Sequence, residues 1–295
     1  MTFHPVRASN SIPVAVFLIS DRTTMQQNLT DQQWRTFEAQ GYIRLGQVTT
    51  DEVLHGLQQR IDKIMMGTAT VPYERMMLQL DATTGAYKDM PSQTLGHKGA
   101  TLAYRKIQGL EFDPLFLAYM QTPLFRDICN RAYGRDVPIS CFRAMFMNKP
   151  ANQGTHLPWH QDFFPHLSRH PIATVWMAMD PSTIEKGCIK VLPGSHHHFP
   201  DEDHTVFLDE EQIPEVLSRY APVYLECKAG EGLLLHNRLL HTSEVNRTGQ
   251  PRRAFSACYM DGRTISPAPQ SFSVIFGKDA LKSEEVGVEM VSEGR

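Results

Sequence analysis

The residues of this chain best suited to chemistry are His160, Asp162 and His241. The first two stand two positions apart in Trp159-His160-Gln161-Asp162, and the third lies far downstream in Leu239-Leu240-His241-Thr242-Ser243. On a β-strand, side chains at alternate positions share a face, so His160 and Asp162 can meet one ion while a third donor arrives from elsewhere. Two imidazoles and one carboxylate on one triangular face leave the opposite positions open, which suits a non-heme iron(II) oxygenase. With thirteen histidines and thirty-two acidic residues, H-x-D tripeptides arise by chance. Such a pattern therefore gains weight only from its company.

That company includes Arg252, behind Pro251 and ahead of the β-prone run 254–260. A guanidinium grips a carboxylate through two parallel hydrogen bonds. The distal carboxylate of 2-oxoglutarate calls for such a partner, and Ser243 can add a hydroxyl. The plainer reading of Arg252 and Arg253 is a pair of solvated charges before a strand. His196, His197 and His198 are consecutive in a Pro-Gly-Ser-His context, which reads as a turn and not as a metal site. His236 is read as packing along its strand or turn. His156, Phe163, Phe164, His166 and Arg169 flank the H-x-D motif and either line the iron or stabilise a loop over it. Residues 145–147, rich in Met, are read as core or pocket lining.

The elements that must position these residues follow from pattern. Thr30 is an N-cap candidate with Gln33 three residues on, Trp34 and Phe37 on one face, and Gly41 as a stop. A strand follows at 42–45, then a helix opening at Thr50 with Val53, Leu54, Leu57, Ile61 and Ile64 as its buried stripe. Residues 67–102 show no sustained period and are expected to be irregular, with a lid as one role. Helix resumes over 113–133, Pro123 opening a second segment and Gly134 ending it. Beyond Pro138, short β-prone runs at 139–148, 173–179, 188–192, 223–227, 233–235 and 254–260 alternate with turn signals. This texture predicts an all-β core with flanking helices, a sandwich or barrel and not βαβ units. The expected division is an N-terminal extension over 1–28, one domain over 29–262 and a peripheral arm over 263–295.

Composition removes other classes. Apolar content of 41% and charged content of 21% are ordinary globular usage. The net charge of -3, with Lys and Arg scattered, gives no footprint for nucleic acid, so a small-molecule partner is expected. Five cysteines without a C-x-x-C point to a reducing, cytoplasmic setting. No run approaches the roughly 20 apolar residues a membrane helix needs. The apolar run 12–19 lacks a cleavage signal after it and reads as a strand or ordered arm. The sequence carries no signal of an oligomeric state.

Taken together, the residues resemble the phytanoyl-CoA dioxygenase family over roughly 29–260. The carriers are Leu-Thr-Asp-Gln-Gln with Phe37 and Gly41-Tyr42, then Arg105-Lys106-Ile107-Gln108, then Trp159-His160-Gln161-Asp162. Trp176-Met177-Ala178-Met179 follows, then Lys186-Gly187-Cys188 leading to Leu192-Pro193-Gly194-Ser195-His196. Leu240-His241-Thr242-Ser243 with Asn246 and Pro251-Arg252 completes the order. The resemblance implies a double-stranded β-helix, the cupin-like jelly roll, with Fe(II) on His160, Asp162 and His241. It implies that Arg252 and Ser243 hold the 2-oxoglutarate carboxylate, that Trp176 is an aromatic beside that pocket, and that Lys106 also reaches the co-substrate. The extension and residues 72–103 match no family motif, so the acyl-CoA substrate is not carried over.

The expected activity is hydroxylation of a C–H bond of a small organic molecule, using O2 and decarboxylating 2-oxoglutarate to succinate and CO2, with ascorbate supportive in vitro. Desaturation or cyclisation are related outcomes. Related iron enzymes that chlorinate have a small residue where this chain has Asp162, so oxygenation is expected. Competing readings are a zinc hydrolase, which lacks an H-E-x-x-H helix here, and a non-catalytic jelly-roll binding protein.

Overall fold

A computed structural model describes residues 25–164, 166–197, 207–267 and 271–286. The N-terminal run 12–19 and His198 lie outside the described residues. Helix α1 (Asp31–Gln40) starts with a full capping box, in which the Thr30 hydroxyl accepts from the Gln33 amide and the Gln33 side chain takes the Thr30 N–H. It stops at Gly41, whose φ of 77° belongs to the left-handed region. Helix α2 (Asp51–Met65) is capped by Thr50 and buries Leu54, Leu57, Ile61 and Ile64, the spacing read from sequence. Helices α3 (Pro114–Met120) and α4 (Pro123–Tyr133) each open on a proline, where a missing N–H costs nothing. Two short helices, α5 (Ile213–Arg219) and α6 (Ser283–Val286), complete the set.

The larger sheet comprises β1 (Tyr42–Gln47), β2 (Met77–Leu80), β3 (Thr94–Leu95), β4 (Tyr104–Gln108), β5 (Ile139–Lys149), β7 (Ala173–Ala178), β10 (Glu231–His236), β12 (Arg252–Asp261) and β13 (Val274–Phe276). Its order is β1-β10-β7-β12-β5-β4-β2-β3, with β13 on β5. The smaller sheet runs β6-β11-β8-β9, from β6 (Leu157–His160), β8 (Ile189–Val191), β9 (Val223–Leu225) and β11 (His241–Ser243). All pairings are antiparallel.

Strand alternation sorts the large sheet into two faces. Val175 and Met177, Leu234, Phe255 and Ala257 turn toward the helices, where they pack with Phe37, Leu57, Ile61, Phe116 and Phe125. Their neighbours Trp176 and Ala178, Leu233, Leu235 and Ala254 turn the other way and meet Ile189, Val191 and Leu225 of the small sheet. The chain is thus a jelly roll with helices on the outer face of one sheet. Strands buried on both faces read as continuous apolar runs, which explains why β7 has six buried residues in succession.

Two segments contribute more than the sequence texture indicates. The span 67–102, expected to be irregular, holds β2 and the edge strand β3 and buries Met76 and Leu78 fully. In the span 263–295, β13 pairs with β5 and Ile275 is 1% exposed.

Candidate active site

The three candidate ligands meet at one end of the small sheet. His160 ends β6, His241 begins β11, and the two are direct register partners with ring centroids 4.0 Å apart. Asp162 lies two residues past the end of β6, so strand alternation alone does not aim it. The Asp162 N–H donates to the Asn237 carbonyl at 2.8 Å, and the Gln161 amide donates to the Arg238 carbonyl. Both acceptors belong to the turn between β10 and β11, so that turn holds Asp162 against His241. Asn237 is itself pinned by Thr174 at 3.0 Å and by a bond to the Cys258 sulfur. One ligand atom from each of His160, Asp162 and His241 lies within 4.8 Å of the others, the one such group among the described residues. The His241 Nε2 to Asp162 Oδ2 distance is 3.9 Å.

Both imidazoles are fixed in the same tautomer. His160 Nδ1 bonds to the Pro158 carbonyl and His241 Nδ1 to the Leu239 carbonyl, each at 2.9 Å and each two residues back. A carbonyl accepts only from N–H, so both Nε2 atoms keep their lone pairs for an ion. Burial, reinforced by His241, pushes the His160 pKa down to about 3, which keeps that ring neutral. Burial opposes ionisation of Asp162, but His241, His160, Arg143 and Lys106 outweigh it and hold the carboxyl below its ordinary range. Two neutral nitrogens and one carboxylate are a donor set for a divalent first-row metal.

A cavity of about 320 Å³ opens on this group. Arg252 borders it from the start of β12, 4% exposed. Its guanidinium donates to the Gly187 carbonyl at 3.3 Å and lies 5.8 Å from the Trp176 ring centre. Its Nε is buried with no hydrogen-bond partner among the described residues, and burial pushes its pKa down to about 10. A buried cation without a carboxylate is costly, and an arriving anion would relieve that cost. Ser243 and Lys106 also line the cavity. Burial, with Arg105 and Arg143 nearby, lowers the Lys106 pKa to about 8. Trp176 does not line the cavity; it packs beneath Arg252 in the inter-sheet core.

Several lining residues were not singled out from sequence. Arg143 and Lys149 alternate with Ala144 and Phe146 on β5, and Met145 and Met147 share their inward face. Charged residues on the inner face of a strand that otherwise reads as core were the available signal. Phe164 lines the cavity, whereas Phe163 packs on His170 and His156 pairs with Glu244 at 3.1 Å. The histidine run is structural where described: His196 Nε2 bonds to the Glu38 carbonyl at 2.9 Å, and its ring packs on His236.

The sequence profile of the family described as Phytanoyl-CoA dioxygenase (PhyH) matches residues 37–254. The chain is 25% identical over 248 residues to "Phytanoyl-CoA dioxygenase, peroxisomal" of Rattus norvegicus, covering 80% of this chain and 70% of that protein. In fold it is similar to EctD from S. alaskensis, solved with 2-oxoglutarate and 5-hydroxyectoine, at a TM-score of 0.62 and 18% identity over 83% of this chain and 80% of that one. It is similar also to SnoK, described as a non-heme alpha ketoglutarate dependent carbocyclase, at a TM-score of 0.61 and 17% identity, covering 82% and 88% of the two chains. With the profile spanning both H-x-D and His241, the chain belongs to the phytanoyl-CoA dioxygenase family of non-heme iron(II)- and 2-oxoglutarate-dependent oxygenases.

Proposed function

We propose that this protein hydroxylates a C–H bond of a small organic substrate while 2-oxoglutarate is decarboxylated to succinate and CO2. The observation that carries the reading is that a two-histidine, one-carboxylate face and a buried arginine with no carboxylate partner among the described residues border one cavity. His160, Asp162 and His241 would hold Fe(II), and Arg252 would take the distal carboxylate of 2-oxoglutarate, with Ser243 and Lys106 beside it. When bound, iron(II) and 2-oxoglutarate would supply the electrons that activate O2 for attack on a C–H bond.

The chain's own contribution is positional. The Pro158 and Leu239 carbonyls orient the imidazoles, and the turn at Asn237 holds Asp162 against them. Trp176 presents its ring to the Arg252 guanidinium and supports the cation from below. Five cysteines, all buried and unpaired, support a reducing compartment, and we assign the cytoplasm. No helix among the described residues is long and apolar enough to cross a membrane. Screening small compounds for stimulated succinate release, with iron(II), O2 and ascorbate present, tests the reading; a hydrolytic product formed without 2-oxoglutarate would contradict it.

A further inference from the structure

The cavity carries more positive charge than the reaction's own anions neutralise, and this observation extends the oxygenase reading to the class of substrate. Arg105, Arg143 and Arg252 line it against the single carboxylate of Asp162, and Lys106 and Lys149, whose charged forms burial disfavours, stand beside them. On the reading above, the charges of iron(II) and the 2-oxoglutarate dianion cancel, so filling those sites leaves the imbalance in place. Arg252 and Lys106 are assigned to the co-substrate. Lys149 donates to the Thr155 carbonyl at 2.6 Å, and Arg105 donates to Gln79 at 3.2 Å.

The Arg143 side chain has no hydrogen bond and no ion pair among the described residues. Its guanidinium is held 4.5 Å from the Phe164 ring centre and 4.9 Å from that of Phe142. Aromatic contact fixes the orientation of a guanidinium while leaving its N–H donors free, which preorganises it for a bidentate oxyanion. Arg143 lines the same cavity as His160, Asp162 and His241, so its guanidinium shares that space with the metal face. Met145 and Met147 share its strand face and Phe164 adjoins it, so the surface around the cation is apolar. At about 320 Å³ the cavity sits near the lower end of ligand pockets, roughly 300–1,000 Å³, and must hold the co-substrate as well.

We propose that the primary substrate is a small amphiphilic carboxylate whose acid group is seated on Arg143, with its apolar body against Met145, Met147 and Phe164. The carboxylate pairs with the guanidinium in two parallel hydrogen bonds, and the apolar wall presents a C–H bond toward the metal face.

The test is calorimetric titration of anaerobic, iron(II)-loaded protein, with and without 2-oxoglutarate. The probes are phenylpropanoate and octanoate, each against its primary amide, with phenyl phosphate as a second oxyanion. Wild type should bind at least one carboxylate tenfold or more tighter than its amide. Arg143→Leu should lose that preference and Arg143→Lys should keep part of it, while 2-oxoglutarate affinity stays within about twofold in both. Equal affinity for acids and amides in wild type would overturn the proposal. So would tighter binding of phenyl phosphate than of either carboxylate, or an Arg143→Leu loss shared equally by 2-oxoglutarate. A carboxylate preference lost in Arg143→Leu, in a protein that does not bind 2-oxoglutarate, would uphold the Arg143 seat and sink the oxygenase reading instead.

Discussion

Arg252 and Arg253, adjacent in β12, face opposite sides of the large sheet and differ completely in their partners. Arg253 is paired with Asp180 at 2.8 Å and with Asp62 of α2 at 2.7 Å. Among the described residues Arg252 has no carboxylate partner, and its guanidinium donates only to the Gly187 carbonyl. One arginine ties strand to helix; the other is the one proposed above to take an anion. Arg252→Leu is therefore expected to raise the 2-oxoglutarate KM by about 30-fold or more, since losing one partner of a buried charge pair costs roughly 2–5 kcal/mol. Steady-state kinetics checks this, and an unchanged KM would move the anchor to Lys106.

The same residue predicts an opposite effect on stability. Burial lowers the Arg252 pKa from the ordinary guanidinium range to about 10, so the folded state disfavours its charged form. Both folded and unfolded chains carry that charge at neutral pH, and the penalty, on the order of 3 kcal/mol, is fully present there. Arg252→Met should raise the thermal midpoint of the ligand-free protein by a few degrees while abolishing the stabilisation that 2-oxoglutarate gives wild type. A lowered midpoint in calorimetry would count against the unpaired charge.

Lys106 gives a pH dependence. Its folded pKa of about 8 lies below the ordinary 10.5, through burial and then Arg105 and Arg143, with Asp162 opposing. Between these values the unfolded chain binds more protons than the folded one, so ligand-free stability from this group rises with pH across that window. On the proposed role of Lys106, the cation offered to 2-oxoglutarate is lost over the same range. Affinity should fall as pH passes about 8, and Lys106→Met should flatten that limb in titrations between pH 7 and 9.5, values chosen to bracket roughly one unit either side of the midpoint.

Gly187 is a backbone position on which the proposed co-substrate seat depends. Its φ is +71°, and an added Cβ would stand 2.1 Å from the Glu244 carbonyl oxygen and 3.1 Å from Lys149 Cδ. Because the Gly187 carbonyl is the acceptor for Arg252, Gly187→Ala should displace both. The expected result is a loss of at least about 2 kcal/mol in denaturant unfolding, together with weaker 2-oxoglutarate binding. A variant as stable as wild type would contradict this packing.

Local signals carried much of the fold into the sequence. Thr30 with Gln33 and Thr50 mark helix starts through bonds made within a few residues, Pro123 marks one through its fixed φ, and the structure has each of these starts. The strands β2 and β3 were not legible, because two- and four-residue segments acquire their identity from distant partners such as Ile107 on β4. His160 and His241 were legible as residue types at telling positions, yet their direct cross-strand pairing depends on sheet register. Asp162 is aimed by Asn237 and the turn before β11, a contact over which local spacing has no control. Arg143 was hidden for a different reason: its role depends on which face of β5 turns inward and on the aromatic ring of Phe164.

The central claim is that His160, Asp162 and His241 together hold an iron that consumes 2-oxoglutarate. The most direct measurement is succinate formation from 2-oxoglutarate by purified protein under air, with iron(II) and ascorbate, in parallel with bound iron per chain, for wild type and Asp162→Ala. Wild type is expected to bind one iron per chain and to release succinate, and Asp162→Ala to lose succinate formation while melting within a few degrees of wild type. Succinate formation by Asp162→Ala at the wild-type rate, or by wild type stripped of iron, would contradict it.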